Sequence, residues 1–372
     1  MNLILQKRQN KDIIYVNLLG GTNMKKFIAV LLAVVMMALA LTACGGDQGE
    51  SETSSEIAGS GGISIGVCIY DFNDTFMMKV KEDISTYSES IGVNADISDG
   101  GNEQSKQNDQ VKEYTEKGVD GLIVNPVDVT AAISIIDTVK PTGKPVVFIN
   151  REPSADDIAT YDNAYYVGAN TEQAGTLMGE MVAEYWNANR EVADKNGDGR
   201  LQYVMLMGEP GHQDTVARTE YSVKAIQDAG ITVERLEEDT AQWNSDEAAG
   251  KMASWIAKHG NTIEAVICNN DQMALGAIKA LSQNGYFGEG GEYVPVVSVD
   301  GTYEALEAME SGTLYGTVLN DSENQSKAAV ALIMAVTDGN MQRLETLGYT
   351  LEGKTIRVPY VKITKENYKE YM

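Results

Sequence analysis

A chain of 372 residues exceeds what one hydrophobic core ordinarily holds, so two domains are expected, and its 43% hydrophobic content suffices to pack them. The formal net charge is −25, and all but five of the Lys and Arg residues and all but one of the Asp and Glu residues lie beyond residue 43. So acidic a body repels nucleic acid and anionic lipid, and it suits a protein that handles neutral or cationic small molecules.

Residues 1–23 read as an upstream extension, with Met24 as the natural start. Met24-Lys25-Lys26 is a basic head, and Phe27 to Leu41 is an apolar run too short for a membrane span. Leu41-Thr42-Ala43-Cys44-Gly45 resembles the lipobox of bacterial lipoproteins, in which cleavage precedes the cysteine and the cysteine takes the lipid. Residues 24–43 are therefore expected to be a signal peptide, and residues 44–62 a lipidated Cys44 followed by a polar, Gly/Ser-rich tether. Cys68 and Cys268 lie in separate apolar runs and read as two buried free thiols, not a disulfide or a metal pair.

From Ile63 onward strands alternate with helices. Strands are expected at Ile63–Tyr70, Val93–Ile97, Gly121–Val124, Pro145–Ile149 and Ala164–Val167. A second series follows, with strands at Leu201–Met207, Ile231–Leu236, Ala265–Cys268, Val294–Val299, Gly316–Leu319 and a terminal Val358–Ile363. Helices fill the intervals, among them Thr171–Ala188, Ser245–Lys258, Asp271–Asn284 and Glu323–Asp338. This alternation predicts an α/β protein of two doubly wound parallel-sheet lobes. Lobe one would be residues 63–169 plus 320–357, and lobe two residues 170–319 plus 358–372, with a three-segment hinge at the crossings.

Polar residues gather where the strands end. Asp74 and Phe76 follow the first strand, Asn150 the fourth, and His212, Asp214 and Arg218 the Leu201–Met207 strand. Asn269-Asn270-Asp271, Asp300 and Asn320-Asp321 follow three later ones. Singly each suits a helix cap or turn. Six at one sheet edge point to a ligand site. Planar amides, carboxylates and a guanidinium can each make two hydrogen bonds to adjacent hydroxyls. The sequence holds no GxxxxGK[ST] loop for a nucleotide, no HExxH or CxxC for a metal, and no serine elbow for acyl transfer. Phe76 and Trp243, in Thr240-Ala241-Gln242-Trp243, are candidate platforms for the C–H face of a sugar.

A second constellation is Asp194-Lys195-Asn196-Gly197-Asp198-Gly199-Arg200-Leu201-Gln202. It supplies oxygens at positions 1, 3, 5 and 9 of a calcium loop, with the Arg200 carbonyl at position 7. Position 12 is Met205, which cannot close the loop, so the residues alone leave a metal loop and an Asp/Asn/Gly turn both open.

Tyr70 to Phe76, Gln104 to Gln110, Pro145 to Asn150, Gly208 to Arg218, Asn269-Asn270-Asp271 and Gly316 to Asp321 together resemble the bacterial galactose/glucose-binding proteins, which are periplasmic-type solute-binding proteins of sugar ABC transporters. The likeness runs in order from Ile63 to the C-terminus. It implies that Asp74, Asn150, His212, Asp214, Arg218, Asn270, Asp300 and Asn320 hydrogen-bond a hexopyranose, while Phe76 and Trp243 sandwich its ring. It also implies that Glu264 completes a structural calcium site with Asp194, Asn196, Asp198, Arg200 and Gln202. Arg200 departs from the uncharged residue of that family.

The expected molecule is thus a monomeric, lipid-anchored, extracytoplasmic receptor. It would capture D-galactose or D-glucose, deliver it to a membrane ABC permease, and bind no nucleic acid. A chemotaxis-type sugar receptor of the same fold is the alternative. A sugar-acting enzyme using Asp214 and Asp300 is the remoter one, because Arg218 would hold both carboxylates ionised.

Overall fold

The computed structural model describes residues 62–372. The signal-like segment and Cys44 lie outside the described residues. Two sheets form. The first is built from β1 (Ser64–Ile69), β2 (Asn94–Asp99), β3 (Gly121–Val124), β4 (Val146–Ile149) and β5 (Ala164–Ala169), joined by β11 (Leu351–Glu352) and β12 (Thr355–Val358). The second is built from β6 (Arg200–Met207), β7 (Thr232–Thr240), β8 (Ala265–Cys268), β9 (Val296–Asp300) and β10 (Gly316–Leu319), with β13 (Val361–Ile363) at its edge.

Their spatial orders are β11-β12-β5-β4-β3-β1-β2 and β13-β10-β9-β8-β6-β7. Counted within each sheet, both follow the order 2-1-3-4-5, in which the winding reverses beside the first strand and leaves a crevice beyond the strand ends. The central strands are apolar on both faces because helices cover both faces: β3, β4 and β8 are buried at every position. Cys68 and Cys268 are buried free thiols within these layers.

Two edges depart from the all-parallel expectation. β11 runs antiparallel to β12, and β13 antiparallel to β10. The stretch read as one terminal strand at Val358–Ile363 is split. β12 pairs with β5 as far as Val358 opposite Ala169, so Val358 belongs to the first sheet, and Pro359-Tyr360 makes the crossing to the second. Proline lacks the amide hydrogen that a continuing ladder requires, and the strand breaks there. β7 extends to Thr240, beyond the expected Leu236. It is an edge strand of mostly charged, half-exposed residues whose ladder with β6 resumes after a bulge at Tyr203/Val204, so apolar alternation did not mark its end.

Helices are exchanged between the lobes at the crossings. The helix Thr171–Ala188 leaves β5 yet packs on the second sheet, through Ala174, Met178 and Val182. The helix Ser322–Asp338 leaves β10 yet packs on the first, through Ala328 to Ala335. Close approach of Thr171–Ala188 to the helix Gln213–Asp228 depends on two glycines. A Cβ on Gly179 would lie 2.2 Å from the Ser222 carbonyl oxygen, and one on Gly175 2.7 Å from that of Ala217. Gly179→Ala is expected to lower stability by about 1–3 kcal/mol, since backbone must move. Gly250→Ala, with nothing within 4 Å of the added carbon and an exposed place in the helix Ser245–His259, should raise it by roughly 0.5–1 kcal/mol. Thermal or urea unfolding of the two variants measures both signs.

Candidate functional site

Each polar candidate sits where a strand hands over to a helix. Asp74 caps the helix Thr75–Ser90, its Oδ1 accepting the Met77 amide at 2.9 Å. His212 caps Gln213–Asp228 by accepting the Asp214 amide at Nδ1 (3.1 Å), and Asn270 caps Asp271–Gln283 by accepting the Met273 amide at 3.0 Å. A helix N-terminus wants a short polar side chain, and a sheet of this winding order wants its ligand in the same place, so capping and lining fall to the same residues. Three others are held in strained backbone: φ is +59° at Asn150, +64° at Trp243 and +131° at Asp300.

All ten candidates line one cavity, which encloses about 350 Å³ of empty space partly open to solvent between the two sheets. Asp74, Phe76 and Asn150 come from the side of the first sheet, and Asn320 stands at the crossing just after β10. His212, Asp214, Arg218, Trp243, Asn270 and Asp300 come from the second. Trp243 is seated on Gly208, where an added Cβ would lie 2.1 Å from the indole, so the glycine after β6 makes room for the ring. His212 meets that indole edge to face, with ring centroids 5.3 Å apart.

Arg218 is the electrostatic centre. It is 2% exposed, donates Nη2 to Asp214 Oδ2 (2.8 Å) and to the Tyr360 hydroxyl (3.1 Å), and donates Nη1 to the Asn269 carbonyl (2.7 Å). Asp300 Oδ1 lies 3.9 Å from Nη1, and Nε has no partner. Burial works against the cation, but Asp214, Tyr360 and Asp300 outweigh it and raise its pKa. Burial pushes the Asp300 carboxyl well up, with Asp271 and Asp74 adding to the rise and Arg218 opposing it. Burial and Arg218 thus pull the Asp300 carboxyl in opposite directions, and removal from water is the larger effect. Burial also lowers His212 to about 4 despite Asp214, so near neutral pH the imidazole is uncharged, with Nδ1 accepting and Nε2 left to donate.

Two lining residues were not singled out from the sequence, Tyr70 and Arg151. Both could have been, since each directly follows or nearly follows a strand of the first sheet, but a tyrosine and an arginine there lack the cap-and-turn signature that marked the rest. Conversely, Asp271, grouped with Asn270, does not line the cavity. It is fully buried and accepts hydrogen bonds from Ser298, Thr302 and Thr317, tying β9 and β10 to the helix it begins.

The 194–202 loop is a compact knot. Asp194 Oδ2 accepts the Gly199 amide (3.0 Å), Asn196 Oδ1 the Asp198 amide (2.9 Å), and Asp198 Oδ1 the Arg200 amide (2.8 Å). Glu264, 1% exposed, accepts the Lys195 and Gln202 amides at 2.7 and 2.8 Å and so ties the loop to the start of β8. Burial raises its pKa, those two amides oppose the rise, and Asp194 and Asp198 add to it. Asp194 Oδ1 and Gln202 Oε1 are buried acceptors without a partner. The Arg200 side chain turns away to Glu234 (3.4 Å). Among the described residues no group of three or more His, Cys, Asp or Glu side chains is arranged to hold a metal. What the loop offers is a mixture of carboxylate, amide and carbonyl oxygens.

The family described as a periplasmic binding protein domain matches residues 65–341. A D-galactose/methyl-galactoside binding periplasmic protein of Haemophilus influenzae is 39% identical over 310 residues, which span 83% of this chain and 91% of that one. A xylitol-binding protein of Mycolicibacterium smegmatis is 29% identical over 317 residues, spanning 85% and 82%. The crystal structure of an ABC transporter solute-binding protein of Bacillus halodurans with bound myo-inositol superposes with a TM-score of 0.69 at 30% identity. It covers 84% of this chain and 98% of that one. Two doubly wound lobes, a three-crossing hinge and a polar cavity between them agree with these likenesses, and the chain belongs to the periplasmic binding protein domain family.

Proposed function

We propose that this chain is the extracytoplasmic solute-binding component of a sugar ABC importer. It would close two lobes around one neutral hexopyranose, D-galactose or D-glucose, and present the closed form to a membrane permease while Cys44 carries a lipid anchor. The carrying observation is one cavity lined by ten hydrogen-bonding side chains together with the rings of Phe76 and Trp243. Amides, carboxylates and a guanidinium suit vicinal hydroxyls, and Phe76 and Trp243 suit the C–H faces of a ring. Ligand contacts from both lobes favour the closed form, so capture itself shifts the population. The ligands named for the relatives range over galactose, xylitol and myo-inositol. Galactose and glucose are preferred because the galactose/methyl-galactoside relative is the more identical of the sequence relatives described and covers most of both chains. No reaction is proposed: the site is suited to holding a polyol, not to cleaving one.

The 194–202 loop is proposed to hold a structural calcium ion. Asp194, Asn196, Asp198, the Arg200 carbonyl, Gln202 and Glu264 would be its ligands. The two buried, unpartnered oxygens on Asp194 and Gln202 favour this, since an acceptor left without a donor costs free energy that a cation recovers.

Titration calorimetry is expected to give heat with D-galactose or D-glucose. Asn320→Ala should weaken binding by roughly 10–100-fold through loss of one buried polar partner, and should also lower the melting temperature because the buried Gln325 amide loses its acceptor. Heat with xylitol or myo-inositol alone would move the ligand within the class, and silence with every sugar and polyol would remove the proposal. Chelation should lower the melting temperature by several degrees yet leave hexose affinity within about threefold; an unchanged melt would count against calcium. His212, depressed in the folded state, contributes stability that is complete above about pH 6.5 and is lost as pH falls towards about 4. His212→Asn keeps a capping side chain, so its melting temperature should fall less steeply across that interval than the parent's, and parallel curves would refute this assignment.

A further inference from the structure

Tyr70 and Arg151 line the cavity with the ten residues already described, and their contacts make a chain from the pocket wall to the opposite lobe. Asp74 Oδ2 accepts the Tyr70 hydroxyl at 2.7 Å while Oδ1 accepts a helix amide, so the carboxylate is gripped at both oxygens. The Arg151 guanidinium lies 4.0 Å over the Tyr70 ring. Arg151 is 5% exposed. It donates Nη1 to the Val127 carbonyl (2.6 Å) within its own lobe and Nη2 to Glu209 Oε2 (2.7 Å) in the other. Its Nε is buried and without a partner. Beside it, Gln213 of the second lobe donates to the Asn150 carbonyl at 2.7 Å, a second bridge across the cleft. The left-handed turn at Asn150 sets that carbonyl and Arg151 where both can be reached from the second lobe.

We propose that Arg151 is a further determinant of ligand affinity, acting in two ways: it clasps the lobes shut through Glu209, and it positions the Asp74 carboxylate through Tyr70. This rests on the sugar-binding reading above. The clasp can form only when the lobes meet, so its free energy belongs to the closed form. An interaction absent from the encounter and present in the closed complex changes dissociation, not association. Glu209 is 43% exposed at its side chain, which leaves the pair open to screening by salt. The Tyr70 hydroxyl bonds Asp74 and Glu209 bonds Arg151, so the positioning role separates from the clasp.

Stopped-flow tryptophan fluorescence with D-galactose and D-glucose tests both roles at low and high salt. For the full chain, the dissociation rate is expected to rise with salt. In Glu209→Gln it should be about tenfold faster at low salt, with association within twofold and the salt effect largely gone. Arg151→Lys should retain part of the salt effect, because the cation remains while the fork to Val127 is lost. Tyr70→Phe should weaken affinity yet keep the full salt dependence. Unaltered dissociation in Glu209→Gln, or a change confined to association, overturns the clasp. Unaltered affinity in Tyr70→Phe overturns the positioning role. If the parent chain binds neither hexose nor any sugar or polyol, the functional reading and the clasp fall together, whereas a parent that binds with variants that match it removes the clasp alone.

Discussion

The buried guanidinium of Arg218 is the constraint on which the rest of the site depends. A cation that is 2% exposed persists only where oxygen acceptors surround it, and here they come from three places. Asp214 is on its own helix, Asn269 follows β8, and Tyr360 lies on the crossing from the first sheet to the second. The same side chain thus organises the cavity wall and touches the segment that joins the two sheets. Removing it would leave Asp214 and Asp300 buried without their shared cation, which is why its neighbours and the cavity shape are best regarded as one unit.

Economy of placement explains how so many ligand groups fit one edge. In each lobe the winding reverses beside the first strand, and the helices that follow begin at the crevice. Their N-caps need short polar side chains, and Asp74, His212 and Asn270 each satisfy a helix amide while also lining the cavity. Three of the positive-φ non-glycine residues, Asn150, Trp243 and Asp300, stand at the same place and line the cavity.

Most of this was legible because buried parallel strands are short apolar runs and caps are short polar residues, two patterns that a sequence carries locally. β3, β8 and β10 have the same bounds in the structure as in the reading, for each is a short, largely apolar run followed by an Asn. The losses have physical causes of their own. β7 is an edge strand with charges on both faces, so alternation was silent after Leu236. The division of Val358–Ile363 between two sheets depends on which partner each half finds, information that no window of six residues holds. Arg151 was passed over because its importance comes from Glu209, 58 residues away, and from a stack on Tyr70. The separate roles of Asn269, Asn270 and Asp271, adjacent and chemically alike, are decided only by which way each is turned by its strand end.

The pairing of β12 with β5 has a consequence for how the chain is assembled. β5 ends at Ala169, but its neighbour in the sheet does not begin until Thr355, and the helix Ser322–Asp338 that covers the same sheet comes from beyond the whole second lobe. As the polypeptide emerges from its N-terminal end, the earlier lobe must wait with an unpaired apolar border and an uncovered face until almost the last residues arrive. Interlacing of this kind makes the two halves mature together and late, and leaves that raw border the place where premature self-association would start.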